Sequence, residues 1–581
     1  MPDARSTDGR WWREWDLLLL AALVLGLYVP RLTELPLRGE ESRWARVAVE
    51  MLEGGDWVVP RQQGAPFLSR PPLGSWLIAA ASTALGGCSP RAVRLPTVLA
   101  TLATTLLIYG YARQFLSRVG ALASGLAYVS SGTVLGLGRL AETDATFTMF
   151  VAGSLMVWHW GRMREWLAPW PWVAGYSLAA LGALTKGPQA PAYFVGTVGA
   201  YLLVRRDFRA LLSGSHLAGL ATFLLITGAW LVPFYFGLGG NDVWSIWSTD
   251  VGARWGESSP LAFLSRSVTF SSALLGSLLP WSFLLFDYLR PSFRKSIGAA
   301  KPYVVFWVVC LAVTMPTCWL VRDPRTRYYM PIFPGIAVLT GLVIDRAISS
   351  ERSSVGHWLW AQFLGGLAAL RVVIAVGVVA SGRVKLPLPE GLWLSARSAV
   401  AYLAMAGVAA GLMLRSRQRP GPAAGRWGLV AVAAFLGLTF LGPILGLQAA
   451  SSEDVAGAVA RFKAKLPPRA RLVSFGPVHH LFAYYYREPI ELRPLSPEGI
   501  QLDAESPYFC IGWCDTPYRP FPLPYFWEPV ATISCERTRR PRPLFVVTVG
   551  RRLSTPSLPT PPQVVRRPQG EGDGPKESVH R

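Results

Sequence analysis

Apolar runs long enough to cross a bilayer recur along most of this chain. They fall at about 17–34, 91–112, 119–138, 142–160, 171–185, 188–204, 215–236, 270–289, 302–321, 328–347, 357–380, 393–414 and 427–449, and predict about 13 transmembrane helices. If successive helices alternate in direction, six basic loops share one side. They hold Arg113/Arg118, Arg162/Arg164, Arg205/Arg206/Arg209, Arg290/Arg294/Lys295/Lys301, Arg346/Arg352 and Arg415/Arg417/Arg419/Arg426. Loops this rich in Lys and Arg stay cytoplasmic, so the N-terminus is predicted inside and the polar segments 35–90 and 237–269 outside. Past residue 449 the pattern changes. Val455, Val459, Phe462 and Leu466 share a helical face within 453–466, and 478–486 reads as a second helix. Short apolar runs at 471–475, 508–511 and 544–549 read as strands. The predicted fold class is an all-α polytopic membrane protein over 1–449, with a small external α/β domain at 450–550. Pro, Ser, Gly and charge dominate 551–581, which predicts a disordered tail.

Composition adds little beyond the pattern. The 581 residues are 51% hydrophobic and carry a net charge of +22. The basic loops account for that charge, so no nucleic-acid partner is implied. The first apolar run lacks a small-residue cleavage site and is read as a retained helix. Six cysteines without CxxC pairs argue against a zinc or redox framework. On the external side, Cys535 is expected to bridge to Cys510 or Cys514.

The segment Leu37–Leu73 follows the first run and is too polar to span. Between Glu40 and Glu53, Trp44, Val47, Ala48, Met51 and Leu52 recur at helical spacing, with Arg43, Arg46, Glu50 and Glu53 on the other face. That pattern predicts an amphipathic helix lying in the membrane interface, apolar side down. Glu40 and Glu41 stand at its start. Two such carboxylates fit a general base and fit solvated charge equally well.

Several motifs, in order, resemble a known family. Glu40-Glu41-Ser42-Arg43-Trp44-Ala45, Gly55-Asp56-Trp57-Val58-Val59-Pro60 and Arg70-Pro71-Pro72-Leu73 are similar to the first external loop of the ArnT/PMT-type glycosyltransferases. The resemblance continues through Arg94-Leu95-Pro96, Arg139 to Asp144, Leu184 to Pro188 and Arg327 to Pro334, covering roughly the first 350 residues. Each motif alone is weak, while the ordered set is specific. The topology drawn from charge alone puts the external-loop and helix-end motifs on one face. The resemblance implies a GT-C fold in a bacterial inner membrane. It also implies inverting transfer of a sugar from a polyprenyl-phosphate carrier to a lipid, glycan or protein acceptor.

Such chemistry needs a base for the acceptor proton and positive charge for the departing phosphate. A carboxylate, with an ordinary pKa near 4, takes that proton as the new bond forms. In the resembled family the base is usually an Asp at the position held here by Glu40, so Glu40 is the first candidate and its neighbour Glu41 the second. Asp144 is the second family carboxylate, expected to orient the acceptor or a partner base; at a helix start it also suits the helix dipole. The phosphate candidates are Arg43, Arg70, Lys186, Arg254, Arg325 and Arg327, with the hydroxyls of Tyr328 and Tyr329. Protein carboxylates would serve these cations as partners equally well. Where the ArnT branch often has Glu-Lys before Pro-Pro, this chain has Ser69-Arg70, and none of its His lies in the first or fourth external loop. No zinc site and no cofactor is implied, although a divalent ion carried by the donor stays compatible. Arg371, inside the eleventh run, is either functional or paired within the bundle.

Two other classes fit the same hydropathy. A transporter or lipid-carrier flippase would place its polar residues near mid-membrane on repeated, broken helices. Here they gather at external helix ends and no repeat is visible. A non-catalytic assembly protein would use the C-terminal domain to hold a partner.

Overall fold

The computed structural model describes residues 15–239, 259–321, 325–349, 355–381, 396–418, 422–468, 470–494, 502, 507–513, 523, 526–536 and 545–553. The chain divides into two compact units, Met1–Ser452 and Glu453–Arg581.

The first unit is helical. Its order is α1 Trp15–Tyr28, α2 Glu41–Gly54, α3 Leu73–Ala84, α4 Pro90–Ala112, α5 Arg118–Val129, α6 Gly132–Leu137, α7 Thr143–Met163, α8 Trp170–Lys186, α9 Gln189–Val204, α10 Phe208–Leu211 and α11 Gly214–Gly237. Then come α12 Pro260–Ser277, α13 Pro291–Ser296, α14 Lys301–Trp319, α15 Phe333–Ser349, α16 Val355–Ser381, α17 Ala396–Gln418, α18 Pro422–Thr439 and α19 Leu445–Ala450. Serine caps recur where the chain re-enters a helix. The side chains of Ser89, Ser117, Ser213 and Ser259 accept from backbone N–H groups of α4, α5, α11 and α12, satisfying donors that have no partner within the helix.

Among the described residues, five helical stretches have the length and hydropathy to cross a bilayer unaided. They are Pro90–Ala112, Gly214–Gly237, Gly298–Trp319, Thr326–Ser349 and Ala423–Ala449. A sixth counts if Pro260–Ser277 and Trp281–Leu289, bent by 120°, form one span. The expected run at 119–138 breaks at Ser130-Ser131, which separates α5 from α6. The run at 270–289 turns at Leu278-Leu279-Pro280, because proline cannot supply the N–H that would continue the helix. Three others, α1, α3 and α9, are apolar but only 14, 12 and 16 residues long.

Helix α2 departs from the interface orientation its periodicity predicts. Trp44, Val47, Ala48 and Met51 are buried, but so are Ser42 and Arg46 on the other side and Glu41 at the helix start. The polar face is covered by a two-strand hairpin, β1 Arg61–Gln62 with β2 Ala65–Pro66. Glu50 holds that hairpin, accepting from Gln63 N–H at 2.8 Å, Gly64 N–H at 3.1 Å and Arg46 Nε at 2.9 Å. Gly55, at φ 71, ends the helix with its N–H on Met51 O. The helix is therefore packed within protein, against α3 and the hairpin, and does not float on lipid.

The second unit is a five-stranded sheet in the order β4-β3-β5-β7-β6, built from β3 Leu472–Phe475, β4 Ile490–Arg493, β5 Tyr508–Trp513, β6 Trp527–Glu536 and β7 Phe545–Arg552. Strand β3 runs parallel to β4 and β5, while β7 is antiparallel to β5 and β6. Helices α20 Val455–Lys463 and α21 His480–Tyr486 accompany it. The sequence pattern does not show β4 or β6. Strand β6 carries Pro529 and two irregularities, at Pro529/Ala531 and Ser534/Glu536, which break its alternation. Cys510 is a free thiol in β5, and β7 separates it from Cys535 in β6, so the Cys510–Cys535 bridge is not formed. Its alternative partner, Cys514, lies outside the described residues.

Candidate active site

Four chain segments meet beside the start of α7 in the first unit: the loop 29–40, the turn 138–142, the end of α8, and a 3-10 turn at Thr326–Ile332. A buried ion pair locks the first two together. Glu41 is fully buried in the first turn of α2, and Arg94 reaches it from one turn inside α4. Arg94 Nε donates to Glu41 Oε1 and Nη2 to Oε2, each at 2.7 Å. Ala141 N–H donates to Oε1 at 2.7 Å and Arg38 N–H to Oε2 at 3.1 Å. The remaining Arg94 donors close the loop, with Nη1 on Leu32 O (2.6 Å) and Leu35 O (2.9 Å) and Nη2 on Pro36 O (3.0 Å). A charge pair this buried holds only when its lone pairs and protons are satisfied, as they are here. The geometry thus corrects the second candidate base. Glu41 is consumed as an anchor, with no oxygen open to an acceptor.

Glu40 stands one residue earlier and faces outward. It precedes the first turn of α2, keeps about a third of its side chain exposed, and pairs with Arg43 Nη1 at 2.5 Å. Arg43 also lies over the Phe67 ring, 6.0 Å from its centroid.

Beside this loop, α7 begins with Glu142-Thr143-Asp144. Asp144 is buried and paired with Lys186 Nζ. Lys186 reaches it because α8 ends there, stopped by Gly187 at φ 100 and Pro188. The ammonium also sits 5.5 Å from the ring centroids of Phe147 and Tyr328. Arg327 enters from the 3-10 turn, with Nη1 3.1 Å from Glu142 Oε2 and 3.8 Å from Asp144 Oδ2.

The structure therefore gathers Asp144, Lys186, Arg327 and Tyr328, and ties Glu40 and its partner Arg43 to the same cluster through Glu142. It does not bring in every candidate. Arg325 is exposed before the 3-10 turn. Arg70 is half-buried, with Nη1 on Ser69 O at 2.9 Å. Tyr329 is 1% exposed and its hydroxyl accepts from Trp319 Nε1 at 3.0 Å. Arg254 lies outside the described residues. Arg371 is buried with its guanidinium 4.2 Å from the Phe435 ring centroid, in the bundle and apart from these segments.

Two residues were passed over by sequence reasoning. Arg94 was quoted in a motif but given no role, although an Arg one turn into an apolar helix demands a partner. Glu142 lies within the Arg139 to Asp144 motif but has no role assigned from the sequence. Its Oε1 lies 3.4 Å from Glu40 N–H, and burial raises its pKa to about 7, helped by the nearby Asp144 and Glu41 charges and opposed by Arg327. Among the described residues, no three His, Cys, Asp or Glu side chains gather as a metal site requires.

Comparison with known proteins bears on the class first. Residues 69–233 match the family model of the dolichyl-phosphate-mannose-protein mannosyltransferases. The undecaprenyl phosphate-alpha-4-amino-4-deoxy-L-arabinose arabinosyl transferase of Pseudomonas aeruginosa (strain LESB58) is 32% identical over 325 residues, 54% of this chain and 55% of that protein. A second such transferase, from Pseudomonas fluorescens, is 27% identical over 72% of this chain and 71% of its own length. The alignment thus spans little more than half the length of the first relative. The crystal structure of ArnT from Cupriavidus metallidurans bound to undecaprenyl phosphate superimposes with a TM-score of 0.66 at 21% identity, covering 93% of this chain and 99% of that one. The fold is therefore that of the ArnT structure, with several apolar helices long enough to cross a bilayer. In sequence, the chain is similar to transferases of the ArnT and PMT kind.

Proposed function

We propose that the protein is an inverting glycosyltransferase using a sugar carried on a polyprenyl phosphate. The observation that carries this reading is one half-exposed carboxylate, Glu40, whose backbone is joined through Glu142 to a cluster where two cations, Lys186 and Arg327, are paired with Asp144 and Glu142 at helix ends. In the reaction, an acceptor hydroxyl oxygen bonds to the anomeric carbon as the bond from that carbon to the phosphate oxygen breaks. The acceptor proton passes to Glu40, and the polyprenyl phosphate leaves with its negative charge. Lys186 and Arg327 supply donors to that charge, which neither lipid nor an apolar helix face can solvate. Asp144 holds Lys186 in place until the phosphate arrives. The relatives' names make undecaprenyl-phosphate-linked 4-amino-4-deoxy-L-arabinose the first donor to try, and a lipid A-type glycolipid the first acceptor. The site is assigned to the outer face of the inner membrane, in line with the basic loops on the other side.

Mass spectrometry of membrane lipids and surface glycans from cells with and without the gene tests this reading. A sugar-bearing product should disappear with the gene and return with the wild-type copy but not with Glu40→Gln. Identical lipid and glycan profiles in all four strains would overturn it.

A further inference from the structure

We propose that Glu142 is a positioning residue that sets the catalytic turn at Gly39-Glu40 against the cation Arg327, an inference that rests on the transfer reading above. Its carboxylate spans two segments. One oxygen takes Glu40 N–H at 3.4 Å and the other takes Arg327 Nη1 at 3.1 Å. Both neighbours are donors, so the bridging form is the ionised one; a proton on either oxygen breaks one arm. The turn is shaped for this contact. Gly39 has φ +55, and a Cβ there would lie 2.6 Å from Glu142 Oε1, closer than real contacts allow. Any other residue at 39 displaces the carboxylate.

The groups that face Glu142 explain why its charge is not free of cost. Glu40 and Glu41 come from the loop and α2, Asp144 from its own helix, Arg38 from the loop, and Arg327 from the 3-10 turn. Burial and the two like charges of Asp144 and Glu41 press it toward the neutral acid, and its pKa stands at about 7. The bridge therefore forms as pH rises through neutrality. Glu40 is placed by its own backbone N–H, so its carboxylate, paired with Arg43, is not engaged by Glu142 and can take the acceptor proton.

The test uses the full-length protein in nanodiscs, with undecaprenyl phosphate as the binding probe and transfer from the aminoarabinose-loaded carrier as the rate. Wild type, Glu142→Gln, Glu142→Asp and Gly39→Ala are compared across about pH 5.5 to 8.5. Wild-type kcat should fall as pH drops through about 7. Glu142→Gln should lose that limb and lower kcat by about ten- to a hundredfold at high pH, with KM for the donor and carrier affinity little changed, because a misplaced group costs rate before binding. Gly39→Ala should reproduce the loss, and Glu142→Asp should recover part of it. Hydrogen–deuterium exchange adds a readout independent of turnover. The peptide covering 38–42 should exchange faster in Glu142→Gln and Gly39→Ala while the helices keep their protection. Wild-type kcat with an unchanged acid limb in Glu142→Gln, or unchanged exchange at 38–42, overturns the proposal. If wild type binds carrier but transfers nothing, the transfer reading falls and the exchange result alone decides the positioning role.

Discussion

Adjacent carboxylates at 40 and 41 differ in which way the start of α2 points them. Glu41 turns inward onto the Arg94 fork, while Glu40 turns out toward Arg43. The two should respond differently to removal. Glu40→Gln keeps size and hydrogen bonding but not basicity, and is expected to lower kcat by about 10²–10⁴ with carrier binding intact. Glu41→Ala strands the Arg94 charge in a buried site and is expected to cost about 3–5 kcal/mol of stability, seen as a lower melting temperature and poor yield in detergent. Retained transfer in Glu40→Gln would move the base elsewhere. Lys186→Ala should raise the KM for the lipid-linked sugar, since a cation that meets the phosphate in both ground and transition states acts mainly on binding; an unchanged donor titration would leave the phosphate to Arg327 without Lys186. Much of this was legible from residue order. The resemblance carried by the ordered motifs pointed to Glu40, Asp144, Lys186 and Arg327. What they left open was direction. Period alone cannot say whether a residue at a helix start points to solvent or to a partner 53 positions away, as Glu41 does with Arg94.

At the scale of elements, apolar length was legible and interruption was not. The runs at 91–112, 215–236 and 302–321 coincide with α4, α11 and α14, which continue through the internal prolines Pro96, Pro233 and Pro316. The runs at 119–138 and 270–289 are equally apolar on average, yet Ser130-Ser131 and Pro280 divide them, and those breaks turn the chain within the bundle. Helix α2 misled in the opposite sense. Its polar face predicted solvent, but Glu50 and Arg46 are occupied by the β1–β2 hairpin, a tertiary contact that no local pattern encodes. Packing between elements gives its own test. Helix α15 approaches α5 so closely that a Cβ on Gly341 would lie 1.9 Å from Ser124 Oγ and 2.6 Å from Gly120 O. Gly341→Val should therefore destabilise the bundle by about 1–3 kcal/mol through overpacking, measured as a lower thermal midpoint. An unchanged midpoint would mean that the two helices separate at no cost.

For the whole molecule, the question is which side of the membrane each part occupies, because the transfer reading requires Glu40, Lys186 and Arg327 to face the compartment that holds the acceptor. Hydropathy supplies the helices but not their direction; only the distribution of Lys and Arg does that. The basic groups after α7 (Arg162, Arg164) and after α9 (Arg205, Arg206, Arg209) stand at the helix ends remote from Asp144 and Lys186, since α7 begins at Thr143 and α8 ends at Lys186. One end of this bundle thus carries the arginine loops and the other carries the cluster of carboxylates and cations. Positive loops are retained on the cytoplasmic side, so the cluster should face outward. A reporter fused after Arg209 is expected to report the cytoplasm, and one fused after Leu466, past α20, the exterior. The first fusion tests the orientation of the site directly, because a single loop separates α8 from α9 and leaves little room for a parity error. The second tests the path through α16 to α18, where the count of crossings decides where the sheet of the second unit lies. An external signal from the Arg209 fusion would put Glu40 and Lys186 on the cytoplasmic side and remove the physical basis for an external acceptor.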